Sequence, residues 1–420
     1  MKVLHLSSSD LIGGAAKACL NISNALRSIG IDSKILVQQK IGNSESVKSI
    51  NTSFLDQYKT KARIGLDYLL IGSLTHKERG RFTIPFIGSD ISEHPEVKST
   101  DILHLHWING GYISLKILSK LTELNKSIVW TLHDMWPFTG GCHYTGECRK
   151  FEFECGECPA LKFKGKKDLS NKIFKQKDKI YMDKNINVVT CSKWLAEEAG
   201  SSRLFKDKNI SVIPNPIDTE IFKPHPQNES RNKLGIPLDK IVIMFSSFTV
   251  YEKRKGFELL KDSLNEIFNN QTELRDKINV IVLGSAGNEI ISEIPFKVIL
   301  PGRISDDKMI SHYYSAADFF VAPSLQENLS NTVMESLSCG TPVVAFKIGG
   351  MPDMIEHKVN GYLVDRISTI GLANGIKWLF MSKENIQNEF RKKAREKVIT
   401  EFTFSHIGEQ YGSIYNRLLM

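Results

Sequence analysis

Residues 322–350 read APSLQENLSNTVMESLSCGTPVVAFKIGG, which is the pattern of a strand, a loop, a helix and a second strand. The strand FFVA ends before Pro323, the run NLSNT at 328–332 begins the helix, and Gly340 ends it before the strand TPVVAF. The backbone N–H groups at a helix N-terminus have no partners within the helix, so they attract anions. The stretch therefore predicts a parallel α/β sheet with an anion site at the start of this helix.

Two carboxylates, Glu327 and Glu335, lie on either side of this helix start in the sequence. Carboxylates repel a ligand that is only an anion, but they accept hydrogen bonds from hydroxyl groups. An anion site with carboxylates beside it therefore suits a ligand that is part phosphate and part polyol. A nucleotide sugar is such a ligand.

The same strand–loop–helix pattern recurs in two series along the chain. The connection between them, IPNPID (213–218), contains two prolines that stiffen it. These features predict the α/β class, with two Rossmann-like parallel domains facing each other across a cleft, the default ligand site in such folds. The predicted strands are KVLHLSS, SKILVQ, DILHLHW, SIVWTLHD and NVVTCS in the first series, and KIVIMFSS, INVIVLGS, KVILPG, DFFVAPS and PVVAF in the second.

Six motifs resemble, in the same order, those of retaining glycosyltransferases of family 4, which have the GT-B fold. In that family the first Glu of a Glu-seven-residues-Glu pattern contacts hydroxyls of the donor sugar, and the second contacts the ribose. The resemblance assigns these roles to Glu327 and Glu335. The motifs are GGAAK (13–17), DILHLHW (101–107), TLHD (131–134), VIPNPIDTEIFKP (212–224), KG (255–256) and LPGRIS…YYSAADFFVAPS (300–324).

The resemblance also implies how the domains divide the work. Residues 1–212 would form the acceptor-side domain, which includes the cysteine cluster at 142–158. Residues 213–402 would form the nucleotide-sugar domain, and residues 403–420 a helix that crosses back to the first domain. Family members generally lack an enzymic nucleophile, and the departing phosphate is thought to deprotonate the acceptor on the same face of the sugar. No cofactor is expected for catalysis.

Cations for the donor diphosphate lie near the second strand series. Lys255 comes just before Gly256 at a helix start, so its charge and the helix dipole act at one place. The family often has a Gly-Arg pair upstream, where this chain has SFT (247–249). Arg254 or Arg303 would then supply the second positive charge, or Lys255 would act with backbone donors alone. With Glu327 and Lys255 as catalytic residues, the predicted donor site comprises Gly13, Gly14, Arg254, Arg303, Ile304, Asn328, Leu329, Ser330, Asn331 and Glu335.

Polar residues at two strand ends of the first series predict the acceptor site. His133 follows the strand SIVWTL, at the edge where ligand contacts gather in parallel sheets. The resemblance implies that His133 lies beside the hydroxymethyl group of the donor sugar and is catalytic. In DILHLHW, His104 and His106 point to one face of the sheet, which predicts that one of them is a packed core imidazole. The predicted acceptor residues are His106, Trp107, Asn109 and Asp134.

Composition limits the location and the partners. The chain has 41% hydrophobic residues, and its longest apolar run is shorter than the roughly 20 residues of a membrane span. The start MKVLHLSSSD lacks the apolar core of a signal peptide, so a cytosolic location is expected. The net charge of +8 is partly concentrated at 162–184, with nine Lys against three Asp. That segment is either a solvated helix or a contact for an anionic membrane surface; nucleic acid is not expected, because no binding motif or aromatic platform accompanies the charge.

Four of the seven cysteines fall within 17 residues with the spacing C-x5-C-x6-C-x2-C. In a cytosolic protein, a C-x2-C pair with two further cysteines nearby favours a structural zinc site. Reduced thiols and disulfides remain the alternatives. The surrounding WPFTGGCHY…CGECP resembles a subgroup of bacterial glycosyltransferases that build surface polysaccharides of the colanic-acid and exopolysaccharide type. The predicted ligands are Cys142, Cys148, Cys155 and Cys158.

The sequence thus predicts a retaining, metal-independent glycosyltransferase that moves a hexose-type sugar from a nucleoside-diphosphate sugar to a glycan or lipid-linked oligosaccharide. Two other functions remain open. A sugar-nucleotide epimerase shares the fold, although no dedicated acid/base pair for elimination is evident. A non-catalytic glycan-binding protein is the second alternative, because the upstream Arg of the family is missing.

Overall fold

A computed structural model describes residues 1–76, 81–382 and 384–420, with the side chains of residues 384 and 385 left out. The chain forms two compact units. One contains Met1–Asn215 together with Ile407–Met420, and the other contains Pro216–His406. These limits lie three or four residues beyond the predicted boundaries at 212 and 402.

The N-terminal unit is built on a parallel sheet whose described part has seven strands in the order β3-β2-β1-β4-β5-β6-β7. The strand order reverses between β1 and β4, so their carboxyl ends form the kind of edge where ligands bind in open α/β sheets. The strands are β1 (Lys2–Ser9), β2 (Asp32–Gln39), β3 (Val47–Ser49), β4 (Ile102–Leu105), β5 (Ser127–Leu132), β6 (Ile186–Thr190) and β7 (Ile210–Val212). The helices are α1 (Gly14–Ser28), α2 (Phe54–Leu74), α3 (Pro95–Ser99), α4 (Leu115–Glu123), α5 (Leu169–Tyr181) and α6 (Lys193–Ser201).

The C-terminal unit has a second parallel sheet, with six described strands in the order β10-β9-β8-β11-β12-β13. The order reverses between β8 and β11, the strand that precedes Glu327. Its strands are β8 (Ile241–Thr249), β9 (Ile278–Ser285), β10 (Lys297–Gly302), β11 (Phe319–Ala322), β12 (Val343–Phe346) and β13 (Gly361–Val364). Its helices are α7 (Gln227–Leu234), α8 (Phe257–Asn270), α9 (Ile290–Glu293), α10 (Asp307–Ala316), α11 (Asn331–Ser338), α12 (Met351–Met354), α13 (Thr369–Met381) and α14 (Glu384–Glu401).

The last helix, α15 (Phe404–Leu419), packs on the sheet of the N-terminal unit. Its buried residues Ile407, Tyr411 and Tyr415 share a core with Val3 of β1 and Val129 of β5. This packing explains why the end of the chain belongs to the first unit. No helix in the described ranges combines the length and the apolar character that crossing a bilayer requires.

The predicted α/β class is confirmed, with two parallel sheets flanked by helices. Central strands read as continuous apolar runs because helices cover both faces of each sheet. Three short strands, β3, β7 and β13, were not predicted, since three or four residues carry little periodic signal. The helix predicted to begin within 328–332 begins at Asn331, with Ser330 as its N-cap.

Candidate active site

The centre of the candidate site in the C-terminal unit is the carboxylate of Glu327, which lies in the loop after β11 and is 8% exposed. Lys255 Nζ lies 2.5 Å from Glu327 Oε2, and Arg254 Nη1 lies 3.2 Å from the same oxygen. Burial alone would raise the pKa of Glu327, but the two cations outweigh it and hold the pKa below its usual value. The carboxylate is therefore ionised at neutral pH and shared between two cations.

Gly256 allows this approach because it brings the backbone before α8 against the end of β11. Its φ is +71°, which favours glycine, and a Cβ there would overlap the carbonyl oxygen of Pro323. The neighbouring backbone is also joined, because Leu325 N donates to Arg254 O at 2.8 Å. Lys255 therefore supplies a positive charge to the site, and Gly256 supplies the backbone conformation that brings this charge close to Glu327.

The sequence left open whether Arg254 or Arg303 is the second cation of the donor site, and the structure places the two arginines differently. Arg254 contacts Glu327 and also donates to Gln326 O at 2.8 Å. Arg303 is exposed, and its guanidinium lies 4.2 Å from the centre of the Phe248 ring. Arg254 is thus the second cation at the carboxylate, and the neighbouring Ile304 is partly buried.

Glu335, the second carboxylate of the pattern, projects from α11 and is 6% exposed. The buried Tyr314 hydroxyl donates to Glu335 Oε2 at 3.0 Å. This hydrogen bond fixes the orientation of the carboxylate, and the tyrosine was not predicted as part of the site. Tyr314 lies in the segment YYSAAD, and the pattern of that segment predicts a helix before a strand but no contact with Glu335.

The loop before α11 is itself buried. Asn328, Leu329 and Ser330 are each 6% exposed or less, and Gly350 N donates to Asn328 O at 2.8 Å. This loop therefore reaches Asn331 in a fixed conformation, and the predicted donor residues 328–331 stand together at one helix N-terminus.

In the N-terminal unit, a chain of imidazoles runs from His5, in the middle of β1, to His106 and His133, which directly follow the carboxyl ends of β4 and β5. His5 Nδ1 lies 2.8 Å from His106 Nε2, and His106 Nδ1 lies 3.1 Å from His133 Nε2. His133 Nδ1 in turn lies 3.7 Å from Cys191 Sγ. His106 was predicted to bind the acceptor, but it is only 3% exposed. It therefore orients His133 through their hydrogen bond and offers almost no surface to a ligand. The sequence did not single out His5 or Cys191.

These imidazoles are neutral at physiological pH. Burial lowers the pKa of His5 to about 3 and that of His133 to about 4, and burial also places the pKa of His106 well below its usual value. A neutral imidazole carries one N–H donor and one acceptor nitrogen. His133 is therefore not a cation, and its two ring nitrogens face His106 Nδ1 and Cys191 Sγ.

His104 is the packed core imidazole that the sequence predicted for one of the two strand histidines. Its Nε2 lies 2.7 Å from Thr131 Oγ1, and its Nδ1 lies 2.7 Å from the Tyr415 hydroxyl of α15. Thr131 Oγ1 also lies 2.9 Å from the Tyr411 hydroxyl. This polar network ties the C-terminal helix to the strand that carries His133.

Trp107 and Asp134 are joined by a hydrogen bond, with Trp107 Nε1 donating to Asp134 Oδ2 at 3.1 Å. The same carboxylate oxygen lies 2.7 Å from Nδ1 of the buried His143, which the sequence did not single out. Burial alone would raise the pKa of Asp134, but contact with His143 and Trp136 N holds it below the usual value. Asn109 is 3% exposed, and its Oδ1 has no hydrogen-bond partner among the described residues.

Gly13 is the N-cap of α1, and Gly14 is the first residue of that helix. Gly13 has a φ of +87°, and nothing lies within 4 Å of the Cβ that another residue would add there. The glycine is needed for its backbone conformation and leaves open space beside the turn. Leu11 and Ile12, which precede it, are both about half exposed.

The four clustered cysteines line one pocket between β5 and α5, together with Thr139 and Lys150. Cys142 Sγ and Cys158 Sγ are 4.0 Å apart, but no three of the four thiols lie within 4.8 Å of one another. All seven cysteines of the chain are free thiols. A second group, His5, Cys19 and His106, does place three potential ligand atoms within 4.8 Å.

The Lys-rich segment 162–184 is not uniformly a charged surface. Lys177 is fully buried in α5, and its Nζ donates to Trp136 O and, at 3.0 Å, to Thr139 O. Burial lowers its pKa to about 7. Lys162 Nζ donates to the carbonyls of Gly72 and Ser73 at the end of α2. Lys177 therefore belongs neither to a solvated face nor to a membrane contact, the two alternatives for this segment, because one side of α5 packs into the core.

Two parallel α/β units are the architecture of the GT-B type, and the family matches identify the class of protein as a glycosyltransferase. Residues 12–221 match the family described as Glycosyltransferase Family 4, and residues 226–397 match Glycosyl transferases group 1. The first match spans 210 of the 420 residues, and the chain belongs to glycosyltransferase family 4.

Curated relatives are similar over different parts of the chain. A D-inositol 3-phosphate glycosyltransferase of Acidothermus cellulolyticus is 26% identical over 168 residues, which is 37% of each chain. An uncharacterized glycosyltransferase of Methanocaldococcus jannaschii is 23% identical over 360 residues, covering 78% of this chain and 87% of that protein. The chain thus spans about two fifths of the length of the first relative and most of the second.

Solved structures are similar over the whole chain. Sucrose-phosphate synthase from Thermosynechococcus elongatus superposes with a TM-score of 0.71 and 17% identity, covering 100% of this chain and 99% of that one. HepE of Anabaena in complex with UDP-glucose superposes with a TM-score of 0.64 and 17% identity, covering 99% and 100%. These likenesses establish the fold.

Proposed function

We propose that the protein transfers a hexose-type sugar from a nucleoside diphosphate to a glycan or lipid-linked oligosaccharide with retention of configuration. The observation that carries the proposal is the ionised Glu327 carboxylate, held by Lys255 and Arg254 beside the N-terminus of α11. Membership of family 4 supports sugar transfer, and the UDP-glucose complex of HepE supports a nucleoside-diphosphate donor.

The chemistry assigned to this site is mainly electrostatic. Breaking the bond between sugar and diphosphate places negative charge on the leaving oxygens, and preorganised donors there contribute about a hundred- to a thousand-fold in rate each. Lys255, Arg254 and the backbone N–H groups before α11 would meet that charge. Glu327 would then leave its ion pairs in part and accept hydrogen bonds from sugar hydroxyls, while the departing phosphate takes the acceptor proton.

Neutral His133 fits a role beside the sugar better than a role as a general acid. Its low pKa leaves no proton on the second nitrogen at neutral pH. Because Nε2 lies 3.1 Å from His106 Nδ1 and Nδ1 lies 3.7 Å from Cys191 Sγ, a sugar hydroxyl would replace the longer contact with Cys191. The imidazole chain through His106 to His5 fixes the ring behind it. We assign it to orienting the donor sugar.

An anionic membrane surface is the proposed partner that brings a lipid-linked acceptor to the protein. Helix α2 exposes six large apolar side chains within an arc of about 160° at 3.6 residues per turn, whereas its buried residues Thr60 and Asp67 lie on the other side. The exposed Lys59 and Lys61 lie on the same helix. The exposed apolar residues are Phe54, Leu55, Tyr58, Leu66, Tyr68 and Leu69, between 50% and 76% exposed.

The basic segment adds to this surface. Lys162 is bonded to the end of α2, and the next residue, Phe163, is 74% exposed. Aromatic and basic side chains together are the composition of interfacial membrane surfaces, where each Lys near anionic headgroups contributes about 1 kcal/mol. This surface and the resemblance to surface-polysaccharide enzymes support a location on the cytoplasmic face of the cell membrane.

Incubating the protein with a panel of nucleotide sugars and candidate acceptors tests the function. Transfer with retained configuration, observed by mass spectrometry and NMR, is the expected result, and Glu327→Gln is the matched control that should lose it. Formation of an epimer would favour the epimerase, and binding without turnover would favour the glycan-binding protein. Either result contradicts the proposal.

Sedimentation with vesicles tests the membrane partner. The protein should sediment with vesicles that contain phosphatidylglycerol and much less with phosphatidylcholine alone. Replacing Tyr68 and Leu69 by Ser should abolish most of that binding, whereas Ile370→Ser, at a residue 62% exposed in the other unit, should not. Unchanged binding of the double variant would rule out α2 as the contact.

A further inference from the structure

We propose that Cys142, Cys148, Cys155 and Cys158 bind one structural zinc ion in the N-terminal unit, independently of glycosyl transfer. The four thiols line one pocket. They all come from one segment of 17 residues, 142–158. Thiolates bound tetrahedrally at about 2.3 Å from zinc lie about 3.8 Å apart. The Cys142–Cys158 separation of 4.0 Å is close to that value, and metal binding would draw the other two thiols in.

The backbone around the pocket supports sulfur as a ligand. Gly140 N lies 3.2 Å from Cys155 Sγ and donates to it, and the Ala160 N–H donates to Cys158. Backbone N–H groups stabilise a thiolate more than a thiol, because the acceptor then carries charge. A Cβ on Gly140 would lie 2.9 Å from Cys155 Cβ and would overlap Ser170 O. The chain is thus closely fitted around Cys155.

Lys177 supplies the second, independent observation. Its amine is fully buried and donates to Trp136 O and Thr139 O, and in the described part of the chain no carboxylate forms an ion pair with it. The charged form of a buried amine needs a compensating charge. Zinc with four thiolates carries a net charge of −2, and Thr139, which accepts from Lys177, lines the cysteine pocket. The proposed metal site would therefore add negative charge near this amine, to which the more distant Asp134 carboxylate already contributes.

The proposed zinc site would help to position the residues after β5 that were predicted to bind the acceptor. The link is His143, which directly follows Cys142 in the sequence. His143 Nδ1 lies 2.7 Å from Asp134 Oδ2, the oxygen that also accepts from Trp107. Zinc binding releases the thiol protons and closes the loop, which holds this pair in place. All four ligands come from the protein, so no position is left for water or substrate and the ion is structural.

Elemental analysis of protein purified without chelator or metal-affinity resin should find about one zinc per chain. Treating the wild-type protein with a strong chelator should release that zinc, make four further thiols reactive and lower the unfolding temperature. Cobalt exchanged into the site should give the sulfur-to-cobalt charge-transfer absorption of a thiolate complex. These measurements need no variant, so they hold even if cysteine substitutions fail to fold.

Two variants distinguish this site from the other group of potential ligands. Cys155→Ser should lose most of the zinc, whereas Cys19→Ser, beside His5 and His106, should keep it. The opposite pattern would place the metal at the imidazole chain and overturn the proposal. Protein that folds and holds no zinc, with its cluster cysteines either reduced or paired in disulfides, would overturn it as well.

Discussion

Lys255 Nζ and Glu327 Oε2 lie 2.5 Å apart and join segments that are 72 positions apart in the chain. The Glu327 side chain is 10% exposed and the Lys255 side chain 20%, so the pair is shielded from most of the solvent. Such a pair couples the two segments that carry the donor site. Its loss should therefore affect both stability and turnover.

A double-mutant cycle with Lys255→Met and Glu327→Gln should give a coupling energy of about 0.5–3 kcal/mol in urea unfolding. The matched control is Lys98–Glu93, which has the same 2.5 Å separation but side chains 60% and 80% exposed. Exposed pairs contribute about 0.2–1 kcal/mol or nothing measurable. Equal coupling in the two cycles would mean that burial does not strengthen the site pair.

Glu327→Ala should abolish most turnover and leave nucleoside-diphosphate binding nearly intact, because its assigned partner is the sugar. Glu335→Ala should instead weaken nucleotide binding by about 1.5–3 kcal/mol, the value of hydrogen bonds to charged acceptors. Tyr314→Phe, which removes the hydroxyl that orients Glu335, should have a smaller effect in the same direction. Calorimetry with nucleoside diphosphates measures all three, and identical failure of the two Ala variants would refute the assigned roles.

Gly256→Ala should destabilise the protein more than Gly235→Ala, although both glycines have nearly the same φ, +71° and +67°. A left-handed conformation costs a non-glycine residue about 1–2 kcal/mol. At Gly235 nothing lies within 4 Å of the added Cβ, whereas at Gly256 it meets Pro323 O. Overpacking adds about 1–3 kcal/mol at Gly256, and similar unfolding free energies for the two variants would contradict the predicted overlap.

Turnover should not require a divalent cation, because Lys255, Arg254 and the start of α11 already meet the diphosphate charge. Activity should persist in a chelator that removes free magnesium and manganese. The zinc content must be measured in the same sample, since loss of a structural ion would lower activity by a different route. Activity that vanishes with zinc retained and returns with magnesium would refute metal-independent chemistry.

Stability should fall as the pH falls below about 6.5, the usual pKa of histidine. Burial lowers the pKa of His5 to about 3 and of His133 to about 4, so the unfolded chain binds more protons than the folded chain within that window. Each such histidine contributes up to about 1.4 kcal/mol per pH unit. His5→Asn should reduce the slope of unfolding free energy against pH, and an unchanged slope in this variant would contradict the prediction.

The sequence alone determined the class of fold and the order of the longer strands along the chain. Apolar runs, glycine turns and capping residues act over a few positions, so β1, β8 and the helix before Gly340 could be assigned from local pattern. Spacing along one segment also identified Glu327 and Glu335 as a pair.

The tertiary structure decided which distant residues meet. Arg254 rather than Arg303 reaches Glu327, Tyr314 orients Glu335, and the His5–His106–His133 chain crosses three strands. Lys177 reads as part of a charged run, yet it is buried because packing, not composition, determines which face of α5 is covered. Such contacts join residues far apart in the chain, and they depend on sheet order and register, which no local pattern specifies.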